Sequence, residues 1–356
     1  MKIDYKELFD FEPFSINQKV KDKWFFKNIK KLSNHHYINC DEYKKITNKI
    51  FKPINKCNNI DELSYIPSSL FKKHSLRSEI LDTSSKTFTS SGTSGASKSK
   101  IVIDKKTSLL QARALSKIYS DIIEKNTKIF FVESPEILKG SNVLSARGAA
   151  IKGFYQFVKD PEYLLDSKNN LNIAPILNFI SNNPKDKFVV FGFTSLIWEN
   201  FIGRLKSEKI KIKKNNGILI HGGGWKKLND KKVNRTKFNY TIKNLSGIST
   251  VHNYYGMIEQ TGSIFLECEK GFFHSSIFSD IIIRDKNLNP CQIGKEGLIQ
   301  VISLLPLSYP GHNILTEDIG VLEGHDGCSC GRKGKFFSIK GRAPDTELRG
   351  CSDAGY

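Results

Sequence analysis

Short apolar runs alternate with segments of helical spacing from about residue 100 to residue 260, and this alternation constrains the fold more than any other feature. The runs KIVI, KIFFVES, DKFVVFGF, GILIHGGG and STVHNYYGM are typical of strands. Between them, TSLLQARALSKIYSDIIEK, SLIWENFIGRLKSEKI and TKFNYTIKNL carry apolar residues at helical intervals. Strands that alternate with helices favour a mostly parallel sheet covered on both faces. The sequence therefore predicts an α/β fold.

The regions on either side of this core have different patterns. Residues 1 to 80 are rich in lysine and aromatic residues at helix-like spacing, as in VKDKWFFKNIKKL, which indicates a helical N-terminal region. Beyond residue 260, the short runs SIFLEC, GFFHSSIF, DIIIRD and GLIQVISL indicate a smaller antiparallel β subregion. We expect three parts: the helical region at 1–80, the α/β core at 81–340, and a hinge and tail at 341–356.

Composition and charge indicate which kinds of partner and which cellular compartment to expect. The chain has 356 residues and a formal charge of +19, but its lysines are spread along the sequence, and no nucleic-acid-binding motif accompanies them. We therefore expect no nucleic-acid partner, whereas the positive field would favour anionic substrates. The N-terminus lacks a signal-peptide pattern, and no run approaches the ~18 apolar residues that span a bilayer. These features, with seven cysteines in a chain of this length, predict a cytoplasmic protein with reduced thiols.

Three glycine-bearing segments follow predicted strands. The segment SSGTSGASK follows KTFT, HGGGWK follows GILI, and YYGMIEQTG follows STVHN. Each would leave the carboxyl end of a strand, which is the edge where open α/β sheets bind ligands. In the first segment, glycine allows backbone N–H groups to approach a phosphate closely, and Lys98 or Lys100 could add a positive charge.

Other interpretations of the first segment differ in their requirements. A Walker phosphate loop would need glycine at position 97, and a nucleophile elbow would need glycine at position 96, where this chain has Ser97 and Ala96. A flexible Ser/Gly linker stays open as an alternative, although the position between two apolar runs argues against it.

Four residues near the C-terminus have the spacing of a metal site. Cys268 and His274 form a C-x5-H pair, and Cys328 and Cys330 form a C-x-C pair in a glycine-rich turn. Three thiolates and one imidazole match a closed tetrahedral zinc site with a structural role. The alternative is four unrelated residues. Three further cysteines belong to no recognisable motif, and we interpret them as packing residues: Cys40, Cys57 and Cys291.

Several ordered motifs resemble the adenylate-forming superfamily of acyl-CoA synthetases, luciferase and adenylation domains. The segment from Ser90 to Lys98 resembles its phosphate loop T-S-G-T-T-G-x-P-K, with Ser97 in place of proline. YGMIE resembles Y-G-x-T-E, LTEDIG resembles T-G-D-L-G, and KGRAPD resembles the hinge motif G-R-x-D. The resemblance implies the large-domain fold of that superfamily.

A closer resemblance covers nearly the whole chain. HGGGWK, YGMIEQTGSIFLEC, SARGAA, CSCGRKG and ELRGC are similar to the acyl-protein synthetase family of the bacterial bioluminescence fatty-acid reductase complex, which is related to phenylacetate-CoA ligases. The resemblance implies that the protein uses ATP and Mg²⁺ to convert a carboxylic acid to an acyl-adenylate, and a fatty acid is the kind of acid we expect. The acyl group would then form a thioester on a protein cysteine and pass to an acyl-CoA reductase-like or acyltransferase partner.

The resemblance also assigns residues. Thr93, Ser94 and the loop amides would hold phosphates, Glu259 would bind Mg²⁺, and Asp318 would bind the ribose. Arg342 stands at the arginine position of the hinge motif. Cys351 would be the acyl acceptor. The implied nucleotide-binding set is Ser91, Gly92, Thr93, Ser94, Gly95, Lys98, His221, Gly222, Gly223, Gly224, Tyr255, Gly256 and Asp318.

The sequence departs from the superfamily at two places. Ile258 stands where a threonine that contacts the α-phosphate is common. The superfamily also has a small C-terminal mobile domain with a catalytic lysine, which we expect to be absent here or reduced to the tail. A substitute cation such as Lys340, Arg342 or Arg349, or a partner subunit, would then be needed.

The C-terminal tail and the apolar residues around one predicted strand suggest two further functional elements, an acyl acceptor and an acyl pocket. Cys351 lies six residues beyond Asp345, so an extended chain could place it ~20 Å from that residue. The positive charge of Arg349 would favour the thiolate form of Cys351. Phe191, Phe193 and Trp198 could line an acyl pocket, although such a run is more often core. The alternatives to protein acylation are an acyl- or aryl-CoA ligase and a non-catalytic nucleotide-binding subunit.

Overall fold

The computed structural model describes residues 3, 5–78, 85–90, 98–138, 143–155, 157–158, 160–225 and 232–344. Within these ranges, no helix has both the length and the apolar character that crossing a bilayer demands. The helices are α1 (Gln18–Asn39), α2 (Asp41–Ile50), α3 (Leu70–Lys73), α4 (Lys105–Tyr119), α5 (Ala146–Phe154), α6 (Ala174–Asn182), α7 (Thr194–Leu196), α8 (Gly203–Ser207) and α9 (Arg235–Ser246). A π-helical turn, Ile197–Ile202, joins α7 to α8.

The strands are β1 (Ile66–Pro67), β2 (Lys86–Thr89), β3 (Lys100–Ile103), β4 (Lys128–Val132), β5 (Val143–Ser145), β6 (Glu162–Tyr163), β7 (Phe188–Phe193), β8 (Gly217–Gly222), β9 (Thr250–Tyr255), β10 (Phe265–Glu267), β11 (Phe273–His274), β12 (Ser279–Arg284), β13 (Glu296–Ser303), β14 (Asn313–His325) and β15 (Lys335–Arg342). Most of them form one long sheet in the order β12-β13-β14-β15-β11-β10-β9-β8-β7-β4-β6.

The sheet has a parallel and an antiparallel half. Strands β6, β4, β7, β8 and β9 pair in parallel with one another. Helices connect most of these strands, as parallel pairing requires a crossover. From β9 to β12 along this order every neighbouring pair is antiparallel. Off this path, β1 pairs in parallel with β14. The predicted α/β class is confirmed, and the antiparallel subregion continues the same sheet through the pairing of β9 with β10.

Helices cover both faces of the parallel half, as the alternation predicts. Successive residues of β4 point to opposite faces: Phe131 packs in a cluster with Leu115 of α4, and Phe130 packs in another with Phe238 of α9. Helix α1 joins the first cluster through Phe25, Ile29 and Leu32, all almost fully buried. The helical character of the N-terminal region agrees with the expected pattern, whereas the domain boundaries at 80 and 340 stay a prediction.

The strands that flank the first glycine-bearing segment lie in a separate three-stranded sheet, in the order β3-β2-β5. The flanking strands β2 and β3 pair antiparallel because the link between them is too short for a parallel crossover. The backbone N–H of Ser90 donates to the carbonyl of Ser99 at 3.0 Å, and the Ser99 N–H donates to Ser90 Oγ at 2.9 Å. The strands on either side of residues 91–97 therefore belong to this small sheet and not to the main sheet.

Two buried histidines pack against each other where α1, which carries His36, meets the segment before β14, which carries His312. The rings of His36 and His312 are 4.6 Å apart, His36 Nδ1 is 2.8 Å from Ser78 Oγ, and His312 Nε2 is 3.0 Å from Ser33 Oγ. His35 and Tyr43 also pack against this pair. Burial, with the charge of neighbouring histidines, lowers the pKa of His36 well below its usual value and that of His312 to about 3.

These histidines should make the protein less stable in mild acid. Because their pKa is lowered by folding, the unfolded state binds more protons below its pKa of about 6.5, so stability is complete above that pH and falls toward pH 3. Each group should contribute a slope approaching about 1.4 kcal/mol per pH unit. Urea unfolding at several pH values measures the slope, and His312→Gln should reduce it. His74→Gln is the control because that side chain is exposed; equal slopes in the two variants would contradict the assignment.

Candidate functional site

The second and third glycine-bearing segments meet at the carboxyl ends of adjacent strands. Strands β8 and β9 pair in parallel, with Gly222 opposite Tyr254. A Cβ at Gly222 would lie 2.5 Å from the Tyr254 ring, so only glycine allows this contact. Gly223 follows with φ of 63°, in the left-handed region that favours glycine. The two segments therefore lie side by side at the predicted ligand edge.

Tyr255 connects this edge to the antiparallel half of the sheet. Its hydroxyl donates a hydrogen bond of 2.6 Å to Asp318 Oδ2. Asp318 lies in β14 directly opposite Arg342 in β15, and Arg342 Nε is 3.8 Å from Asp318 Oδ1. Three residues that the sequence takes from separate motifs thus form one cluster, which we name the Tyr255–Asp318–Arg342 cluster.

The cluster is buried and charged. Asp318 is 1% exposed, and the Arg342 guanidinium also pairs with the neighbouring carboxylate of Glu317. Burial and the negative charge of Asp318 raise the pKa of Tyr255 far above its ordinary value, so the phenol keeps its proton and donates it in the hydrogen bond. The result is a carboxylate held in one orientation by a donor on one side and a cation on the other.

Glu259 lies just beyond β9. It is in the short 3-10 turn Ile258–Gln260, and its side chain is 2% exposed. Gln260 anchors the turn, since its Nε2 donates to the carbonyl of Val301 at 3.0 Å. A carboxylate at this place, one turn from Gly256, is of the kind that binds Mg²⁺.

A cavity of about 60 Å³ opens beside Gly256. Phe193 at the end of β7 and Tyr254 at the end of β9 line it, together with Ile258, which thus offers an apolar surface at the threonine position of the superfamily. Of the other aromatic residues considered for an acyl pocket, Phe191 packs against Phe154 in the core and Trp198 packs against Trp225 and Phe238. Of these three aromatic residues, only Phe193 lines the cavity.

His221 has a packed position within β8. Its Nδ1 lies 2.9 Å from Thr194 Oγ1, its ring lies 4.6 Å from the Phe238 ring, and its side chain is fully buried. Burial, with the charges of His252 and Arg235, lowers its pKa to about 3, so the imidazole is neutral. His221 therefore supports the strand end from the helix side, and the edge itself is formed by Gly222, Gly223 and Gly224.

Several other predicted site residues lie at the edges of the described ranges or outside them. Lys98 is exposed at the base of the β2–β3 hairpin. Five predicted phosphate-loop residues and the predicted acyl acceptor lie outside the described residues: Ser91, Gly92, Thr93, Ser94, Gly95 and Cys351. Arg349 lies outside them as well. Lys340 is 47% exposed, with its Nζ 4.0 Å from Glu323.

The four predicted metal ligands converge. One ligand atom from each of Cys268, His274, Cys328 and Cys330 lies within 4.8 Å of all the others. Cys268 Sγ is 3.9 Å from Cys328 Sγ, and Cys330 Sγ is 3.4 Å from His274 Nε2. Zinc–sulfur bonds of about 2.3 Å in a tetrahedron place two sulfurs about 3.8 Å apart, so the donor set fits this metal. We name these four residues the Cys3His cluster.

Burial controls the protonation of the Cys3His cluster. It raises the pKa of Cys268 and raises that of Cys330 to about 12. It lowers the pKa of His274 to about 3, so the imidazole is in the neutral form that binds metals. A divalent cation at this place would displace the thiol protons, which is the usual coupling between metal binding and proton release.

Sequence reasoning missed Glu317 as a partner of Arg342. The residue lies directly before Asp318 in LTEDIG, but only the pairing of β14 with β15 shows that its carboxylate reaches the guanidinium. It also missed the contribution of α4, whose Leu115 and Tyr119 line the cavity beside Gly256. Their spacing of four residues indicates an apolar helix face, which does not distinguish a cavity wall from core.

Solved structures of 2-hydroxyisobutyryl-CoA ligase share this fold. An open conformation in complex with 2-HIB-AMP and CoA has a TM-score of 0.72 at 14% identity, over 95% of this chain and 78% of that ligase. A postadenylation-state structure with 2-HIB-AMP has a TM-score of 0.72 at 14% identity, over 94% of this chain and 70% of that one. The architecture is therefore that of the adenylate-forming ligases, as the motifs predict.

The chain belongs to the family described as "Acyl-protein synthetase, LuxE", whose match spans residues 2–355. The predicted family is thereby confirmed. A long-chain-fatty-acid–luciferin-component ligase of Vibrio harveyi is 27% identical over 138 residues, which are 38% of this chain and 35% of that ligase. The match thus covers about a third of that curated relative.

Proposed function

We propose that this protein activates a fatty acid with ATP and transfers the acyl group to its own Cys351. The observation that carries the proposal is the Tyr255–Asp318–Arg342 cluster. In the chain, Tyr255 lies between Tyr254 and Gly256, and these two residues line the apolar cavity at the ends of β7 and β9. Membership in the acyl-protein synthetase family supports it. The fold supports it as well, because a ligase that shares the fold has been solved with an acyl-adenylate, 2-HIB-AMP.

In the proposed first step, a carboxylate oxygen of the acid forms a bond to the α-phosphorus of ATP. The bond from that phosphorus to the bridging oxygen breaks, and pyrophosphate leaves. Asp318, oriented by Tyr255 and Arg342, would accept hydrogen bonds from the ribose hydroxyls. The glycines at 222–224 would allow the nucleotide to approach the backbone closely. Glu259 would hold Mg²⁺, which neutralises phosphate charge when bound.

In the proposed second step, Cys351 attacks as a thiolate after giving its proton to solvent. Its sulfur bonds to the acyl carbonyl carbon and AMP leaves, so that the protein carries a thioester. The acyl group would then pass to a reductase or acyltransferase partner, in line with the name of the Vibrio harveyi relative, which joins a fatty acid to a luciferin component. Arg342 has two carboxylate neighbours, which suits it to positioning Asp318.

Replacing Cys351 should separate the two steps. Intact-mass spectrometry after incubation with ATP, Mg²⁺ and mixed fatty acids should show one added acyl group on the full chain, and Cys351→Ala should abolish it. Exchange of labelled pyrophosphate into ATP should persist in that variant, because adenylation precedes transfer. Cys291→Ala is the matched control, since Cys291 is a partly exposed cysteine to which no acceptor role is assigned.

Each alternative outcome selects a different function. Retained labelling of Cys351→Ala would move the acceptor to another residue. Acylated CoA in place of acylated protein would select a CoA ligase, an alternative favoured by the CoA bound in the structurally similar ligase. Nucleotide binding with no exchange for any acid would select a non-catalytic subunit.

We further propose that the Cys3His cluster binds one structural zinc ion. The supporting observation is the convergence of three sulfurs and one neutral imidazole within 4.8 Å. Four protein ligands complete a tetrahedral shell, which leaves no position for a substrate and favours a structural role.

A further inference from the structure

Two cavities lie on either side of one helix residue. The inner cavity is the one beside Gly256, and the outer cavity, of about 200 Å³, lies between α4, α5 and β2. Four residues line both cavities: Leu115, Ala149, Thr261 and Gly262. The cavities therefore share a wall, and the Leu115 side chain is its largest member.

Close packing of small residues shapes this wall. A Cβ at Gly153 of α5 would lie 2.1 Å from Leu115 Cδ2, so Leu115 rests directly on the α5 backbone. Gly262 has φ of +86°, and a Cβ there would lie 2.6 Å from the carbonyl oxygen of Gln111. The two glycines let α5 and the turn after β9 approach α4, which fixes where the Leu115 side chain separates the cavities.

The outer cavity has an apolar interior and a polar rim. Phe88 and Ala112 contribute apolar surface, and Lys86 and Lys152, both exposed, lie at its margin with Ser108. An alkyl chain would be removed from water along this path, and its far end would lie near the lysines. The inner cavity is the smaller of the two, at about 60 Å³ against about 200 Å³.

We infer that the acyl chain of the substrate passes Leu115 from the inner to the outer cavity, and that Ala112 and Leu115 on α4 set its length. This inference rests on the proposed function, because the inner cavity adjoins the proposed adenylation site at Gly256. The substrate class is then a straight-chain acid long enough to pass Leu115. Each methylene that enters the outer cavity should raise kcat/KM about fourfold until the cavity is full.

A phenylalanine at position 112 tests the inference, because Ala112 lines the outer cavity and not the inner one. The full chain is assayed for pyrophosphate exchange with straight-chain acids of increasing length. Ala112→Phe should shift the best acid toward shorter chains and lower the ratio of long-acid to short-acid activity at least tenfold. A ratio within one variant is not changed by a general loss of folded enzyme. Ala112→Leu, with less added volume, should give a smaller shift in the same direction.

Leu109→Phe is the matched control, because Leu109 is on the same helix and 61% exposed. Its length profile should equal that of the wild type. If Ala112→Phe also has the wild-type profile, the inference is overturned. Equilibrium dialysis of dodecanoate separates this inference from the proposed function. If no acid supports exchange, tenfold weaker dodecanoate binding by Ala112→Phe than by the wild type supports the cavities alone, whereas equal or undetectable binding overturns them too.

Discussion

Replacing Cys328 with serine should lower the midpoint of thermal unfolding by about 6–20 °C. A structural zinc site contributes directly to folding, and loss of one thiolate ligand should cost about 3–5 kcal/mol, at roughly 2–4 °C for each kcal/mol. The effect should be large because the Cys3His cluster joins the end of β10, strand β11 and the turn between β14 and β15. Differential scanning calorimetry with and without a chelator measures it, and elemental analysis should find about one zinc per wild-type chain.

Cys291→Ser is the control, because Cys291 is a partly exposed cysteine outside the cluster. It should leave both the zinc content and the midpoint unchanged. A wild-type protein without metal, together with an unchanged midpoint in Cys328→Ser, would show that the four residues are a packed polar group and not a metal site.

Loss of the proposed zinc ion should also loosen the N-terminal segment. The turn between β14 and β15 holds that segment through several contacts: the Asp326 carboxylate accepts from the Gln18 N–H, and the Lys333 N–H donates to the carbonyl of Phe14. Arg332 in the same turn lies over the Phe14 ring and pairs with Asp121. The site therefore has a structural consequence well beyond its own four ligands.

Local patterns of the sequence predict much of this fold. Strands β4, β7, β8 and β9 lie within the apolar runs that alternate with helical segments, because a buried strand and a helix face each leave a periodic signature. The pairing of strands far apart in the chain leaves no such signature. The small sheet of β3, β2 and β5, and the parallel pairing of β1 with β14, depend on contacts that periodicity does not encode.

The same distinction applies to the candidate site. Residue type and motif order indicated Asp318, Tyr255 and Arg342 one at a time, but the hydrogen bond and ion pair between them follow from the pairing of β14 with β15 and the position of β9. The packed position of His221 could not be anticipated, because a histidine before three glycines gives no information on which face of the sheet it occupies. The convergence of the four residues of the Cys3His cluster could be predicted because C-x-C and C-x5-H restrict geometry even without the fold. Their role as metal ligands stays a proposal.

Replacing Asp318 with asparagine should reduce pyrophosphate exchange about 100-fold or more. In the proposed function, its carboxylate accepts hydrogen bonds from both ribose hydroxyls, and each hydrogen bond to a charged group contributes about 1.5–3 kcal/mol. Asparagine keeps the size of the side chain but removes the charge and one acceptor. Tyr255→Phe should have a smaller effect, about tenfold, because Asp318 keeps its charge and loses only the donor that orients it.

Nucleotide affinity measured by calorimetry, beside the exchange rate, shows where the loss occurs. If Asp318 binds the ribose, Asp318→Asn weakens ATP binding and exchange together, because the ribose contacts exist before the reaction as well as during it. Glu323→Gln is the control: it changes a carboxylate on the same strand that bonds to Ser338 and should leave both quantities unchanged. Exchange by a folded Asp318→Asn within threefold of the wild type would mean that the Tyr255–Asp318–Arg342 cluster holds β9, β14 and β15 together but does not bind the nucleotide.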